Sequence, residues 1–176
     1  MTIRPLDNTD AAAYQRLRLL ALRESPTAFS ASYEDEAGRA LDDVAARIAP
    51  AADGSVCMLG IFVQDELAGF VAIIRPQRAK LRHAVEFAGM YVAPAHRRRG
   101  LGRALLEAAI AHACSLDGVR HIKLGVNAAN TAAVALYRAV GFERYGTEPD
   151  ALCVDGTFYD EERYLLRMGD GLPTGV

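Results

Sequence analysis

The sequence is poor in cysteine, and its cysteines do not form the patterns that bind metals or build a disulfide framework. It has three in 176 residues: Cys57, Cys114 and Cys153. No C-x-x-C pair is present, and no histidine stands at a metal-ligand interval from a cysteine. We therefore expect three reduced thiols packed as small apolar side chains, and no bound metal.

Long apolar runs and an excess of one charge are also missing. No stretch approaches the ~20 apolar residues of a membrane-spanning helix, and the N-terminal segment MTIRPLDNTD lacks the apolar core of a signal peptide. The 20 lysines and arginines against 22 aspartates and glutamates leave a net charge of −2, which gives no general attraction for nucleic acid or an anionic membrane. We expect a cytoplasmic protein that binds neither.

The sequence does contain an alternation of short apolar segments and longer helical patterns, which is typical of an α/β domain. Its length favours one domain over residues 1–176, with a frayed tail at 169–176. Apolar periodicity predicts a strand at 2–6, helices at 8–24 and 33–49, strands at 56–63, 67–74 and 84–93, a helix at 100–115, a strand at 122–126, a helix at 131–140, and strands at 142–145 and 157–168.

A basic loop containing glycine stands between the third long strand and the most regular helix. Arg97, Arg98 and Arg99 precede Gly100 and Gly102, and the helix begins at these glycines. The first N–H groups of a helix lack internal partners, glycine lets an anion approach them closely, and arginine adds charged donors. The pattern predicts a pyrophosphate site, although a run of arginines also occurs on solvated surfaces.

This loop resembles motif A of the GNAT superfamily of N-acetyltransferases, (Q/R)-x-x-G-x-(G/A), through Arg97, Gly100 and Gly102. The resemblance implies an acyltransferase that uses acetyl-CoA as its acetyl donor. It also implies that the loop backbone binds the CoA pyrophosphate. The residues implied in this binding are Arg97, Arg98, Arg99, Gly100, Leu101, Gly102 and Arg103.

A second segment resembles the GNAT motif B pattern, N-x-x-A-x-x-L-Y-x-x-x-G-F. The resemblance implies that Asn130 contacts the pantetheine arm of CoA and that Tyr137 protonates the departing thiolate. From the residues alone, Asn130 also fits a helix N-cap, a role compatible with the first, and Tyr137 also fits a core aromatic. The matching residues are Asn130, Ala133, Leu136, Tyr137, Gly141 and Phe142.

The order of predicted elements is similar to the GNAT fold over nearly the whole chain. That fold implies a central mixed, mostly antiparallel sheet of six to seven strands, flanked by about four helices, with a splayed strand pair that binds CoA. Gly89, inside the strand at 84–93, is consistent with the bulge that opens such a splay. The resemblance further implies that Met90, Tyr91 and Val92 bind the cofactor, with the Met90 N–H donating to the thioester carbonyl.

The acceptor amine must lose a proton before it attacks, because a free alkylamine has a pKa near 10. Glu86 is our candidate base, since it lies eleven residues before Arg97, the offset at which histone-acetylating GNAT members carry a catalytic glutamate. Strand alternation predicts that it shares a face with Ala88, Met90 and Val92. The alternative is a surface glutamate on a half-exposed strand. Rival bases on the last hairpin are Asp160, Glu161 and Glu162.

The acceptor itself cannot be read from the motifs. In GNAT enzymes it contacts the first two helices and the last hairpin, which correspond here to residues 25–40 and 148–162. We favour direct transfer, in a ternary complex, to a small-molecule primary amine. A protein or peptide acceptor and a non-catalytic CoA-binding module stay open as alternatives, and retention of Tyr137 argues against the second. Many GNAT proteins dimerise, so a homodimer is expected from the family alone.

Overall fold

The computed structural model describes residues 1–168, and the predicted frayed tail at 169–176 lies outside them. Seven strands form its central sheet: β1 (Thr2–Pro5), β2 (Val56–Val63), β3 (Glu66–Ile74), β4 (Ala84–Val92), β5 (His121–Asn127), β6 (Glu143–Val154) and β7 (Thr157–Arg167). Their order is β1-β2-β3-β4-β5-β7-β6. β4 and β5 run parallel and the other neighbours antiparallel, so the predicted mixed sheet is confirmed.

Five helices flank the sheet within residues 1–168, where about four were expected: α1 (Ala11–Glu24), α2 (Tyr33–Ala37), α3 (Leu41–Ile48), α4 (Leu101–Cys114) and α5 (Thr131–Ala139). The single helix predicted at 33–49 is wrong, because Ala40 adopts extended backbone with a ψ of 144°. The chain folds back there, and Arg39 and Arg47 both bond to the buried carboxylate of Glu36. A straight helix would leave that carboxylate with one fewer guanidinium partner.

Two apolar clusters cover the two faces of the sheet. Leu105 and Ala109 of α4 are fully buried on one face, and Ala21 of α1 and Ile48 of α3 are fully buried on the other. Apolar residues at every third or fourth helical position supply both layers. None of the helices described over residues 1–168 is long and apolar enough to cross a membrane.

The last hairpin is longer than predicted. The strand expected at 142–145 continues through Pro149 and stays paired with β7. A bulge between Glu148 and Leu152 accommodates the proline and holds Asp150 at a φ of 51°. Proline is tolerated here because β6 is the outer strand of the sheet, where one side of the backbone has no partner strand.

β4 and β5 pair over only the first part of their length. The parallel register runs from Ala84 opposite His121 to Phe87 opposite Leu124, and then stops. Beyond that point the two strands diverge, while each keeps its other neighbour. The predicted splayed strand pair is therefore confirmed.

A bulge accompanies the splay on the other edge of β4. Ala88 pairs with Ala72 of β3, and Tyr91 pairs with Phe70. Two residues of β4, Gly89 and Met90, therefore lie opposite the single residue Val71. Gly89 has a φ of +59°, a backbone conformation that glycine adopts without steric cost. The bulge predicted from this glycine is present.

Candidate active site

The gap between β4 and β5 opens on both faces of the sheet. On one face it forms the α5 cavity, whose lining includes Met90 and Tyr137. On the other it continues into the α1 cleft, a cavity of about 570 Å³ beneath α1. Gly89 and Gly125 line both openings, so ligands that enter from opposite faces can meet at the bulge.

Tyr137 lies deep in the α5 cavity. Its side chain is 9% exposed, and its hydroxyl lies 4.0 Å from the Met90 Sδ, a weak acceptor. Burial raises the pKa of Tyr137 to about 12, so the hydroxyl stays protonated at neutral pH and acts as a donor. Tyr137 also packs edge-on against Phe142. It is therefore both a core aromatic and a lining residue of the cavity.

Two asparagines border the turn between β5 and α5. The Asn130 Oδ1 accepts the Ala133 N–H at 3.2 Å, which confirms the predicted N-cap, and the residue also lines the α5 cavity. The sequence did not point to Asn127, which is 4% exposed. Its Nδ2 donates to the Thr27 carbonyl at 3.1 Å, and its Oδ1 accepts the Ala129 N–H at 2.8 Å. Asn127 thus fixes one wall of the gap to the segment before α2.

The loop before α4 presents a row of backbone N–H groups. The first backbone bond of the helix runs from the Ala104 N–H to the Gly100 carbonyl at 3.0 Å. Within residues 1–168, the N–H groups of 98–103 have no protein acceptor. Gly100, at a φ of +79°, turns the loop into the helix. Unpaired donors at the positive end of a helix make an anion-binding cradle.

The side chain of Arg97 points away from this cradle. Its guanidinium bonds both carboxylate oxygens of Glu24, at 2.8 and 2.6 Å, and its Nε donates to the Val92 carbonyl at 3.0 Å. Arg97 therefore braces the loop against the end of α1 and of β4. Its charge is thus engaged by Glu24, and a role of Arg97 at the pyrophosphate stays a prediction.

The other arginines of the loop are arranged differently. The Arg103 Nε bonds Glu107 one turn along α4 at 2.8 Å, and the Arg99 Nη1 lies 3.3 Å from the His96 Nδ1. Arg98, at a φ of 58°, has no ion-pair partner in the part of the chain that the structure describes. Arg98 is therefore the loop guanidinium most readily available to an anion.

The pair between Glu24 and Arg97 predicts a pH-dependent stability. The Arg97 hydrogen bonds lower the pKa of Glu24 to about 2, so its stabilisation is complete above pH ~4.5 and is lost as the pH falls toward 2. We expect Glu24→Gln to lower the free energy of unfolding at pH 7 by about 1 kcal/mol, since solvent screens this partly exposed pair.

Urea denaturation at pH 7, 4 and 2.5 measures this difference. The difference in free energy of unfolding between wild type and Glu24→Gln should shrink as the pH falls. The double variant with Arg97→Gln should lose no more of that free energy than the more destabilised of the two single variants. A deficit that is constant with pH would show that the pair does not cause it.

Glu86 lies on the opposite face of β4 from Met90 and Val92. It is exposed and lines the α1 cleft, whereas Met90 and Val92 pack toward α4. The predicted common face is wrong, because the bulge at Gly89 inserts an extra residue and reverses the alternation. Strand rise places the backbone of Glu86 roughly 10 Å from that of Gly89, so Glu86 lies in the cleft but not beside the bulge.

The three rival carboxylates on β7 differ in what they contact. Glu161 lines the α1 cleft, where a Cβ on Gly125 would come within 2.7 Å of its Oε2. Asp160 accepts a backbone N–H in the bulge of β6, and Glu162 accepts the Tyr164 hydroxyl at 2.6 Å. Glu161 is therefore the rival that reaches the gap. Over residues 1–168, no group of three histidine, cysteine or acidic side chains is placed to hold a metal ion.

Comparisons with known proteins match much of the chain. The model of the Acetyltransferase (GNAT) family covers residues 15–142. The chain is 50% identical over 54 residues to the mycothiol acetyltransferase of Thermobispora bispora, covering 31% of this chain and 18% of that protein. It is 36% identical over 109 residues to the N-alpha-acetyltransferase RimI of Mycobacterium tuberculosis, covering 61% and 63%. The chain thus spans less than two thirds of the length of the curated relatives it matches.

A solved structure extends the likeness to the whole fold. It is that of a putative acetyltransferase from Salmonella typhimurium with its cofactor acetyl-CoA. The two superpose with a TM-score of 0.84 over 99% of this chain and 98% of the other, at 24% identity. At that identity the likeness is one of fold.

Proposed function

This chain belongs to the GNAT family of acetyltransferases, and we propose that it moves the acetyl group of acetyl-CoA directly to the primary amine of a small molecule. The observation that carries the proposal is the meeting of two openings at Gly89. One is the α5 cavity, which contains the buried Tyr137 and is lined by Met90, a residue 3.9 Å from a Cβ built on Gly102. The other is the α1 cleft. Direct transfer needs this arrangement, because donor and acceptor must be held together in a ternary complex.

The residues on the donor side fit acetyl-CoA. The unpaired N–H groups of 98–103 would hold the pyrophosphate, with Arg98 available to add charge. The diverging edges of β4 and β5 would bond the amides of the pantetheine arm, and the Met90 N–H in the bulge would donate to the thioester carbonyl. Acetyl-CoA supplies the activated acetyl group.

Tyr137 would assist the departure of the thiolate. Its buried hydroxyl is protonated, and its contact with Met90 puts it beside the bulge. A thiol with a pKa near 8.5 is already a fair leaving group, so a hydrogen bond from Tyr137 accelerates the step without being indispensable.

On the acceptor side, we propose that Glu86 removes the amine proton through water, with Glu161 as the competing base. We expect Glu86→Gln to lower kcat/KM at pH 7 by about 100-fold. The loss should fade above pH 10, where the amine deprotonates without help. Parallel pH profiles of Glu86→Gln and Glu161→Gln separate the two, and a loss confined to Glu161→Gln would assign the base to Glu161.

A peptide is the second candidate acceptor. The observation that favours it is the 36% identity to a protein named as an N-alpha-acetyltransferase. A peptide would have to extend from the α1 cleft into a neighbouring cleft, which shares Phe29 and Ser30 with it and is lined by residues 151–155 of the β6–β7 hairpin. Peptides therefore belong in the first acceptor panel.

The function is tested by calorimetric titration with acetyl-CoA, followed by thiol release against amino acids, polyamines, amino sugars and peptides. We expect binding, and release with one class of small amine. Binding without release on any acceptor would favour a CoA-binding module, and release with peptides alone would favour the second candidate. Absence of binding would refute the assignment of the cradle.

A further inference from the structure

A buried guanidinium that the mechanism does not use lies in the α1 cleft. Arg18 sits on the inward face of α1 and is only 6% exposed, yet it lines the cleft. Arginine is almost never buried without a partner, because desolvating its charge is costly. Its position inside a cleft therefore requires an explanation.

The other arginines of the cleft are paired, and Arg18 is not. Arg47 bonds Glu36, and Arg163 bonds Glu148. Arg18 has no ion-pair or hydrogen-bond partner within residues 1–168, and its Nε is buried with none. Its guanidinium carbon lies 4.6 Å from the centre of the Phe29 ring. This contact with the ring leaves the guanidinium N–H donors without a hydrogen-bond acceptor in the part of the chain that the structure describes.

The free guanidinium lies next to the point where donor and acceptor would meet. A Cβ built on Gly89 would lie 3.8 Å from the Arg18 Nη1. Gly89 precedes Met90, whose N–H is proposed to hold the thioester carbonyl. A group bound by Arg18 is therefore only a few bonds from the reacting nitrogen of the acceptor.

We propose that Arg18 binds a carboxylate of the acceptor, and that the acceptor is an amino acid whose carboxylate is one carbon from the amine. The guanidinium fork matches a carboxylate with two parallel hydrogen bonds. In the same cleft the exposed Glu86 suits the positive amine and disfavours a phosphate of higher charge, whereas Glu161 is paired with Arg163. Burial lowers the pKa of Arg18 from its ordinary value, and a bound carboxylate would relieve that cost. The inference rests on the proposed acetyl transfer.

Matched pairs of acceptors that differ by one carboxylate test the proposal. Thiol release is measured with L-leucine against 3-methylbutylamine, L-phenylalanine against 2-phenylethylamine, and L-methionine against 3-(methylthio)propylamine. We expect kcat/KM for one or more amino acids to exceed that of the matched amine by about 100-fold or more. In Arg18→Met that preference should disappear, because kcat/KM for the amino acid falls while kcat/KM for the matched amine is unchanged. Arg16→Met, on the exposed face of the same helix, should behave as wild type.

Binding gives a readout separate from turnover. Wild type in the presence of CoA is titrated calorimetrically with the N-acetyl product of the preferred amino acid, and we expect it to bind this product. Arg18→Met should lose that affinity. Arg18→Lys should recover part of it, because lysine keeps the charge but not the two parallel donors. Replacing a buried charge by an apolar side chain is compatible with folding, and circular dichroism checks this. If Arg18→Met does not fold, Arg18→Lys alone must lower the amino acid preference.

Equal wild-type rates for amino acid and matched amine, or an equal fall of both in Arg18→Met, would overturn the proposal while leaving acetyl transfer intact. Release with polyamines or amino sugars alone would do the same. Failure of every amine and peptide to release thiol would reject the proposed function, and the role of Arg18 with it.

Discussion

Acetyl-CoA should no longer bind when Gly102 is replaced by aspartate. Gly102 is in the first turn of α4, and a Cβ there would lie 3.6 to 4.0 Å from the side chains of Leu136, Met90 and Val92, beside the α5 cavity. A carboxylate at this place puts negative charge against the cradle meant for pyrophosphate. We expect affinity to fall by at least about 100-fold, the order of losing a charge-assisted bond and adding repulsion. Isothermal titration with acetyl-CoA measures it.

The matched control for this variant is Gly102→Ala. It adds a carbon at ordinary contact distances but no charge, so its affinity should stay within about tenfold of wild type. An acidic residue in the first turn of a helix favours folding, so Gly102→Asp should keep its melting temperature. Unchanged affinity in the aspartate variant would show that the loop at 98–103 does not bind the pyrophosphate.

The second large effect is expected from Tyr137→Phe. This change keeps the aromatic packing against Phe142 and removes one buried hydroxyl. We expect kcat to fall by about 100-fold, the lower end for a lost proton donor, while the dissociation constant of acetyl-CoA changes little. Steady-state kinetics with the preferred acceptor and titration of acetyl-CoA separate the two quantities.

Tyr164→Phe provides the comparison. Tyr164 is fully buried and its hydroxyl bonds Arg138 and Glu162, away from the gap. This variant should lose thermal stability but keep kcat. Wild-type turnover in Tyr137→Phe would exclude the proton-donor role, and equal loss in both variants would point to packing as the cause.

The parts of the site that sequence could predict are those formed by contiguous residues. The loop around Gly100 presents unpaired N–H groups because of its own backbone, and Asn130 caps the helix that it begins. Gly89 indicated the bulge because few other residues adopt its backbone conformation. Local chemistry fixes each of these features, so a short segment is enough to predict them.

The failures share a different cause. The prediction that Glu86 and Met90 share a face of β4 assumed strict alternation of side chains along the strand. The bulge between them inserts an extra residue and reverses that alternation. The bond between Arg97 and Glu24 could not be predicted either, because Glu24 lies 73 residues earlier in the chain and no local pattern links the two. No local pattern distinguishes Arg18 from the other polar residues of α1, since its burial depends on the sheet beneath the helix.

The bulge that carries β6 past Pro149 bears on how copies of this protein can associate. An outer strand with a row of free N–H and C=O groups is a template for continuing a sheet into a second molecule. β6 is twelve residues long but is interrupted by Pro149 and Asp150, and the opposite outer strand, β1, has four residues and ends in Pro5. Neither rim offers a long regular edge. The homodimer expected from the family would therefore have to form through side chains on a face, and not by joining two sheets into one.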